Sequence, residues 1–247
     1  MPTFQRAIVV GASSGIGEAI ARLLAAEGCH VALVARRAAE LERVASAIRE
    51  AGGRAELFAH DVRDFTAAPP LFERIVGALG GLDLLVYAAG VLHEPAEGEY
   101  DFEKDREMVE VNLLGAMAWG NLAAARFEAA RAGTLLGISS IAGERGRRGN
   151  PAYGTSKAAM TTYLEALRNR LSRYGVRVVT AKPGYVDTAM TRGKKGLFWL
   201  VSADEAARQA LGLARRGSRS GFVPRRWALV ALAIRSIPSF LFRRLNV

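Results

Sequence analysis

The chain lacks most of the features that would place a protein in a special environment. Its 247 residues include one cysteine, Cys29, so no intrachain disulfide can form and nothing indicates an oxidising compartment. The three histidines are scattered and do not combine with Cys29 into a metal site. No uncharged apolar run approaches the roughly 18 residues of a membrane-spanning helix, and the N-terminus does not read as a signal peptide. We therefore expect a cytoplasmic protein that binds no metal.

Acidic residues are scarce in one part of the chain only. Residues 1–190 contain 22 Lys and Arg against 22 Asp and Glu, so the formal net charge of +10 comes entirely from residues 191–247. That last part holds 12 Lys and Arg against Asp204 and Glu205. A neutral body with a basic, apolar end indicates contact with an anionic surface, of which a membrane is one example. The apolar content of this end argues against nucleic acid as a partner.

Apolar runs of strand length alternate with segments of helix length. Runs such as RAIVV and LDLLVY are nearly continuous, which is typical of strands buried on both faces. The first intervening helix carries Ile20 and Leu24 on one face and ends near Gly28. This pattern predicts an α/β fold, a single Rossmann-type doubly wound parallel sheet with helices on both faces. We expect residues 1–190 to form its core and residues 191–247 to add a substrate-covering segment, the last helix and strand, and a tail.

Three glycines lie between the first strand and the first helix, in the segment VVGASSGIGEAI. Gly11, Gly15 and Gly17 would allow a tight turn there and the close approach of a diphosphate to the backbone and the helix N-terminus. The alternative is a tight turn with no ligand. The position of the glycines between a strand and a helix favours a dinucleotide site.

Two arginines follow the second strand. A cofactor with a free 2′-hydroxyl is usually met there by an acid, whereas a 2′-phosphate is met by arginine. This chain has Arg36 and Arg37, which favours NADP(H) over NAD(H), although both could instead be solvated residues at the start of a helix. Asp61 and Val62 follow the third strand, where an adenine could rest.

The second half of the chain contains a group suited to proton transfer. Tyr153 and Lys157 are four residues apart and share one face of a helix. The lysine charge would favour the phenolate of a tyrosine whose ordinary pKa, near ~10, is too high for proton exchange at neutral pH. Ser140, at the end of a strand, could donate a hydrogen bond to a substrate carbonyl. The alternative for the pair alone is an ordinary helix surface.

These motifs resemble those of the short-chain dehydrogenase/reductase family over nearly the whole chain. The resemblance implies that Tyr153 is the acid/base, Ser140 orients the carbonyl, Lys157 holds the nicotinamide ribose and lowers the tyrosine pKa, and Asn112 positions a water. One departure is Tyr87-Ala88, which stands where the family has two asparagines before Ala-Gly. The expected cofactor contacts are Gly11, Ser13, Ser14, Gly15, Ile16, Gly17, Arg36, Arg37, Asp61, Val62, Ala89, Gly90, Tyr153, Lys157, Pro183, Gly184, Val186 and Thr188.

The second half also resembles the short-chain reductases that reduce decaprenylphosphoryl-2-keto-pentose. That resemblance implies a lipid-linked or otherwise amphiphilic ketone as substrate. A ketosphinganine-type keto-lipid reductase, a soluble small-ketone reductase and a nucleotide-sensing protein without turnover are the alternatives. Related proteins pair through the helix that carries Tyr153 and its neighbour, so we expect a homodimer or homotetramer.

The segment 225–247 is apolar between arginines, too short and too charged to span a bilayer. It suits a helix lying at a membrane interface, with arginines at the headgroups and Trp and Phe below them. Equally, it could fold over the subunit and close the substrate pocket. Arg145, Arg147 and Arg148, between Ser140 and Tyr153, could hold a substrate phosphate or form a solvated loop.

Overall fold

A computed structural model describes residues 4–96, 98–194 and 196–245. Lys195 in the covering segment and Asn246 and Val247 at the end of the tail lie outside the described residues. Seven parallel strands form the main sheet in the order β3-β2-β1-β4-β5-β6-β9, and β7 pairs with β8 separately. The strands are β1 Arg6–Val10, β2 His30–Ala35, β3 Arg54–Ala59, β4 Leu84–Tyr87, β5 Thr134–Ile138, β6 Arg177–Pro183, β7 Val186–Asp187, β8 Val201–Ser202 and β9 Ser220–Val223.

Helices cover both faces of this sheet, as the sequence predicted. They are α1 Gly15–Ala26, α2 Ala38–Glu50, α3 Ala68–Leu79, α4 Phe102–Val109, α5 Gly115–Ala130, α6 Pro151–Leu171, α7 Ala203–Arg216, α8 Trp227–Ser236 and α9 Ser239–Phe242. Short 3₁₀ turns at Ile141–Glu144 and Ser172–Tyr174 flank α6. The doubly wound parallel sheet is thus confirmed.

Alternate residues of the central strands enter two separate cores. In β1, Ala7 and Val9 pack with α1, α2 and α7, whereas Ile8 and Val10 pack with α3, α5 and α6. All four side chains are fully buried, and burying a Val or Ile side chain stabilises a fold by about 1.5–3 kcal/mol. This explains why the strands read as continuous apolar runs instead of alternating ones.

The strand order reverses between β1 and β4. From β1 the chain moves outward to β2 and β3, then returns to β4 on the other side. Because all strands are parallel, the loops after β1, β4, β5 and β6 leave the same edge of the sheet. A crevice opens at such a reversal, and ligands of open α/β sheets bind there.

A single turn of π-helix, Glu110–Leu114, joins α4 to α5. The hydroxyl of Tyr87, at the end of β4, donates a 2.6 Å hydrogen bond to the carbonyl of Val111 in this turn. Gly115 follows directly, and a Cβ there would lie 2.2 Å from the Tyr87 oxygen. Tyr87, which departs from the family pattern, therefore braces the strand against the π turn through its hydroxyl.

The C-terminal tail folds back onto the sheet edge. Trp227 of α8 is buried, and a Cβ at Gly184 would lie 2.0 Å from its indole ring, so the ring packs directly on the backbone after β6. Arg145 donates to the carbonyls of Ile234 and Ile237 at the end of α8. Within the ranges that the structure describes, no helix has the length and apolar character needed to cross a membrane.

Two glycine substitutions should have opposite effects on stability. Gly77 lies inside α3 with open space around a Cβ, so Gly77→Ala should raise the free energy of unfolding by about 0.5–1 kcal/mol. Gly115→Ala should lower it by about 1–3 kcal/mol, because the new methyl group collides with the Tyr87 hydroxyl. Urea denaturation measures both. In a Tyr87→Phe background the cost of Gly115→Ala should shrink, and an unchanged cost would contradict the collision.

Candidate active site

One cleft of about 450 Å³ lies along the edge where the strands end. Eighteen of the twenty residues expected to bind the cofactor or act in catalysis line it; Asp61 and Asn112 do not. The lining residues from that set are Gly11, Ser13, Ser14, Gly15, Ile16, Gly17, Arg36, Arg37, Val62, Ala89, Gly90, Ser140, Tyr153, Lys157, Pro183, Gly184, Val186 and Thr188.

The glycine loop is packed so closely that side chains are excluded from it. Gly11 has φ +90°, and a Cβ there would lie 2.4 Å from the backbone nitrogen of Ala89. A Cβ at Gly17 would lie 2.1 Å from the carbonyl oxygen of Gly11. The loop therefore leaves its backbone and the N-terminus of α1 open to the cleft, which suits a diphosphate group.

The two arginines after β2 have different surroundings. Arg37 donates hydrogen bonds to the hydroxyls of Ser13 and Ser14, at 3.0 and 3.2 Å, and so reaches the glycine loop. Arg36 lies 3.4 Å from a carboxylate oxygen of Glu107 and 3.9 Å from one of Asp61. Acidic neighbours already oppose its charge.

Asp61 is held beside the cleft by Arg63. The closest contact between their side chains is 2.7 Å, and this hydrogen bond holds the pKa of Asp61 below its ordinary value. The carboxylate is therefore a charged partner of Arg63 and lies outside the cleft lining, whereas its neighbour Val62 lines it. That Asp61 contacts the adenine of a cofactor stays a prediction.

Tyr153 and Lys157 lie one turn apart near the start of α6. The helix is capped by Asn150, whose side-chain oxygen accepts a 3.0 Å hydrogen bond from the backbone nitrogen of Tyr153. The phenol is half-buried and faces the cleft. Burial raises the pKa of Tyr153, while a hydrogen bond with Ser140 and the charge of Arg147 act to lower it.

Lys157 is a buried ammonium with a single acceptor among the described residues. Its Nζ donates a 3.0 Å hydrogen bond to the carbonyl of Ile138 and lies 5.9 Å from the centre of the Tyr153 ring. Loss of solvent on burial lowers the pKa of Lys157 to about 8. A three-donor group with one acceptor has hydrogen-bonding capacity left for a ribose hydroxyl in the cleft.

Asn112 is buried behind the cleft, in the π turn. Its Oδ1 accepts from the nitrogen of Val91 at 2.8 Å, and its Nδ2 donates to the carbonyl of Val91 and to the hydroxyl of Ser156, each at 3.0 Å. The amide therefore braces the segment after β4 against α6. That it also positions a water stays a prediction.

Aromatic side chains stand beside Gly184 at one end of the cleft. Trp227 lies on Gly184, and its ring centre is 5.3 Å from Tyr185, 4.9 Å from Phe198 and 5.7 Å from Trp199. The sequence pointed to Phe198, Trp199 and Trp227 only as parts of a covering segment and a tail, and it did not single out Tyr185. Trp227 is more than 25 positions away from each of these partners in the sequence, so only the fold brings the rings together.

Some contributing residues carried no sequence signal. Ser139 lines the cleft, and its hydroxyl contacts the carbonyl of Lys157 at 2.9 Å and the hydroxyl of Thr161 at 2.7 Å. It thereby ties the end of β5 to α6. Arg145, in contrast, is engaged with the tail carbonyls and does not point freely toward a substrate phosphate.

Comparison with known proteins agrees with this geometry. Residues 5–196 match the family model described as short chain dehydrogenase. The chain belongs to the short-chain dehydrogenase family. As a member of this family it is an oxidoreductase that uses NAD(P) and acts on alcohol or ketone groups, and the buried Lys157 and the open glycine loop fit such a cofactor.

Relatives in the family have diverse descriptions. A cis-4-hydroxycyclohexanecarboxylate dehydrogenase of Sinomonas cyclohexanicum is 36% identical over 207 residues, covering 83% of this chain and 82% of its own. An uncharacterised oxidoreductase of Mycobacterium tuberculosis is 33% identical and covers 96% of both chains. A short-chain type dehydrogenase/reductase from Mycobacterium marinum superposes with a TM-score of 0.80 at 27% identity, covering 88% of this chain and 92% of its own.

Removal of the buried Lys157 ammonium should stabilise the cofactor-free protein, and it should do so only at lower pH. Because the pKa of Lys157 falls from 10.5 to about 8 on folding, its charged form destabilises the fold below pH 8, and this effect disappears as the pH rises to 10.5. Lys157→Met should therefore raise the free energy of unfolding at pH 7 by up to about 3 kcal/mol. The net gain is smaller by the cost of losing the hydrogen bond to the Ile138 carbonyl. Denaturant unfolding at pH 7 and 10.5 measures this.

The control for this variant is Lys104→Met, at a lysine that pairs with Glu99 on the surface. Lys104→Met should give no stabilisation at pH 7. A Lys157→Met protein that is destabilised equally at both pH values would show that burial of the ammonium does not lower the free energy of unfolding.

Proposed function

We propose that the protein is an NADP(H)-dependent reductase that interconverts a ketone and a secondary alcohol. The observation that carries this proposal is the position of the Tyr153 phenol in the cleft, with the Ser140 hydroxyl beside it and the buried Lys157 ammonium one helical turn away. This is a proton donor, a hydrogen-bond donor and a positive charge on one side of a space that fits a dinucleotide.

The side chains have separate tasks in ketone reduction. The open glycine loop and Lys157 would hold a nicotinamide dinucleotide in the cleft, and its nicotinamide would supply a hydride for the carbonyl carbon. Ser140 donates a hydrogen bond to the carbonyl oxygen, and Tyr153 gives its hydroxyl proton to the same oxygen, so the product is an alcohol. The Lys157 charge stabilises the phenolate that Tyr153 becomes. In the oxidative direction each transfer reverses.

The preference for NADP(H) rests on the two arginines after β2. Arg37 has no acidic partner among the described residues and reaches the serines of the glycine loop. A 2′-phosphate near it would gain charge-assisted hydrogen bonds. Arg36, with Glu107 and Asp61 close by, has less charge to offer.

An amphiphilic ketone, such as a polyprenylphosphoryl keto-sugar, is the substrate that we propose first. The aromatic wall of Tyr185, Phe198, Trp199 and Trp227 supports it, because an apolar chain can lie along these rings. A small cyclic alcohol is the second candidate, favoured by the cis-4-hydroxycyclohexanecarboxylate dehydrogenase among the relatives. NADPH oxidation with a polyprenylphosphoryl keto-pentose and with 4-oxocyclohexanecarboxylate separates the two.

Loss of the Tyr153 hydroxyl should strongly lower turnover while leaving the cofactor bound. Tyr153→Phe should lower kcat by roughly 100-fold or more, because the proton donor is removed. Fluorescence titration with NADPH should show nearly unchanged affinity. Tyr163→Phe is the matched control on the same helix, since its hydroxyl bonds Asn121 and Met117 away from the cleft. Unchanged turnover in Tyr153→Phe would favour a nucleotide-sensing protein.

The two arginines should contribute unequally to cofactor choice. Arg37→Ala should raise KM for NADPH roughly tenfold or more, the value of a lost charge-assisted hydrogen bond, and leave KM for NADH nearly unchanged. Arg36→Ala should have a smaller effect because Glu107 and Asp61 already balance it. Steady-state kinetics with both cofactors measures this. A larger effect at Arg36, or equal losses for both cofactors, would contradict the assignment.

A further inference from the structure

Helix α8 is apolar on all sides, but the protein covers only one of them. Trp227 and Ala231 face inward and are buried. On the opposite side Leu229 is 69% and Leu232 is 66% exposed. A helix with two apolar faces normally has both covered, so the outer face is a surface without its partner.

This outer face is part of a larger apolar region, the tail surface, formed by α8, α9 and the end of the covering segment. Eight of the thirteen large hydrophobic side chains that are exposed in the described structure belong to it. The covering segment is joined to α8, because the Trp199 and Phe198 rings pack against Trp227 at the start of that helix. The members of the tail surface are Phe198, Trp199, Leu200, Leu229, Leu232, Phe240, Leu241 and Leu245.

Arginines surround the tail surface, and acids are missing from it. The segment 225–245 contains five arginines and no Asp or Glu. Four of them, Arg225, Arg226, Arg243 and Arg244, form no ion pair within the described residues, whereas Arg235 pairs with Glu144. Arg243 also lines, with Arg148 and Ser239, a cleft of about 430 Å³ beside α9. The partner of this surface must therefore offer negative charge at the edge of an apolar region.

The tail surface is held in place by contacts to the active-site side of the sheet. Trp227 packs on Gly184, and Arg145 caps α8 and lies 4.0 Å above the ring of Phe242. Glu144 accepts from Lys182 at 2.7 Å and from Arg235 at 3.3 Å, which joins α8 to β6. The exposed face therefore belongs to two helices, α8 and α9, that these contacts fix to the rest of the protein.

A second copy of the chain fits this surface poorly. In a two-fold symmetric contact each copy presents the same patch, so the arginines of both copies would be gathered with no acid on the surface to oppose them. An anionic lipid bilayer has both required properties, phosphates at its surface and hydrocarbon directly below.

We infer that the tail surface binds an anionic membrane interface. In this arrangement Leu229, Leu232 and Phe240 enter the acyl boundary, and Arg243 and Arg244 meet headgroup phosphates. The inference goes beyond the reaction and does not depend on it, since binding needs neither cofactor nor substrate. Docking in this way also places the aromatic cluster around Trp227, which packs on Gly184 at the cleft, near the membrane.

Co-sedimentation with vesicles tests the inference on the full chain. The protein should bind vesicles of phosphatidylcholine mixed with phosphatidylglycerol, and bind those of phosphatidylcholine alone at least roughly tenfold more weakly. Leu229→Ser/Leu232→Ser and Arg243→Gln/Arg244→Gln should each weaken binding to the anionic vesicles roughly tenfold or more. Thermal unfolding of each variant checks that the fold is retained.

Matched controls remove the same chemistry elsewhere. Tyr100→Ser/Phe102→Ser deletes two exposed aromatic residues outside the tail surface, and Arg170→Gln/Arg173→Gln deletes two exposed arginines on α6 and the turn after it. Both should bind anionic vesicles as the parent does. Equal losses in the controls would overturn the assignment to the tail.

Three other outcomes would overturn it as well. The parent protein could fail to bind anionic vesicles, or it could bind neutral ones equally. The leucine variants could instead lower the mass in analytical ultracentrifugation while vesicles stay unbound, which would make this face a contact between copies. A protein that binds anionic vesicles but reduces no ketone would leave the inference intact and remove only the proposed reaction.

Discussion

Burial of the central sheet on both faces is the constraint from which the active site follows. Because residues such as Val9 and Val10 enter different cores, helices must cross over each face, and every crossover returns to a parallel strand. All catalytic and cofactor loops therefore leave one edge. The reversal of strand order between β1 and β4 then opens the crevice in which those loops meet.

The crevice is lined by a cation, the Lys157 ammonium, that is held away from water. In the part of the chain that the structure describes, Lys157 has one acceptor, the Ile138 carbonyl, and burial lowers its pKa to about 8. The fold can tolerate this because the strands and α6 are fastened around it, by Ser139 to Lys157 and Thr161 and by Asn112 to Ser156. A group that is poorly satisfied in the free protein is ready to bind a ligand.

The tail links this site to the outside of the molecule. Trp227 contacts Gly184 on its inner side, while Leu229 and Leu232, only two and five residues further on, face outward. The alternatives of a membrane element and a cover for the pocket are therefore compatible in one short helix. Because of the helical period, one face of α8 packs on the protein while the opposite face is exposed. Arg145 and Glu144 hold the helix in this orientation.

The local patterns of the sequence determined the α/β class, the glycine loop and the pairing of Tyr153 with Lys157, because strand burial, tight turns and helix spacing act over a few residues. The weakly apolar β3 gave less signal, since it lies at the sheet edge and is less buried. Only the tertiary structure decided that Tyr87 braces the π turn, that Arg37 instead of Arg36 reaches the glycine loop, and that Trp227 rests on Gly184. Each of these contacts joins residues far apart in the chain, and no local spacing specifies which distant partner a side chain meets.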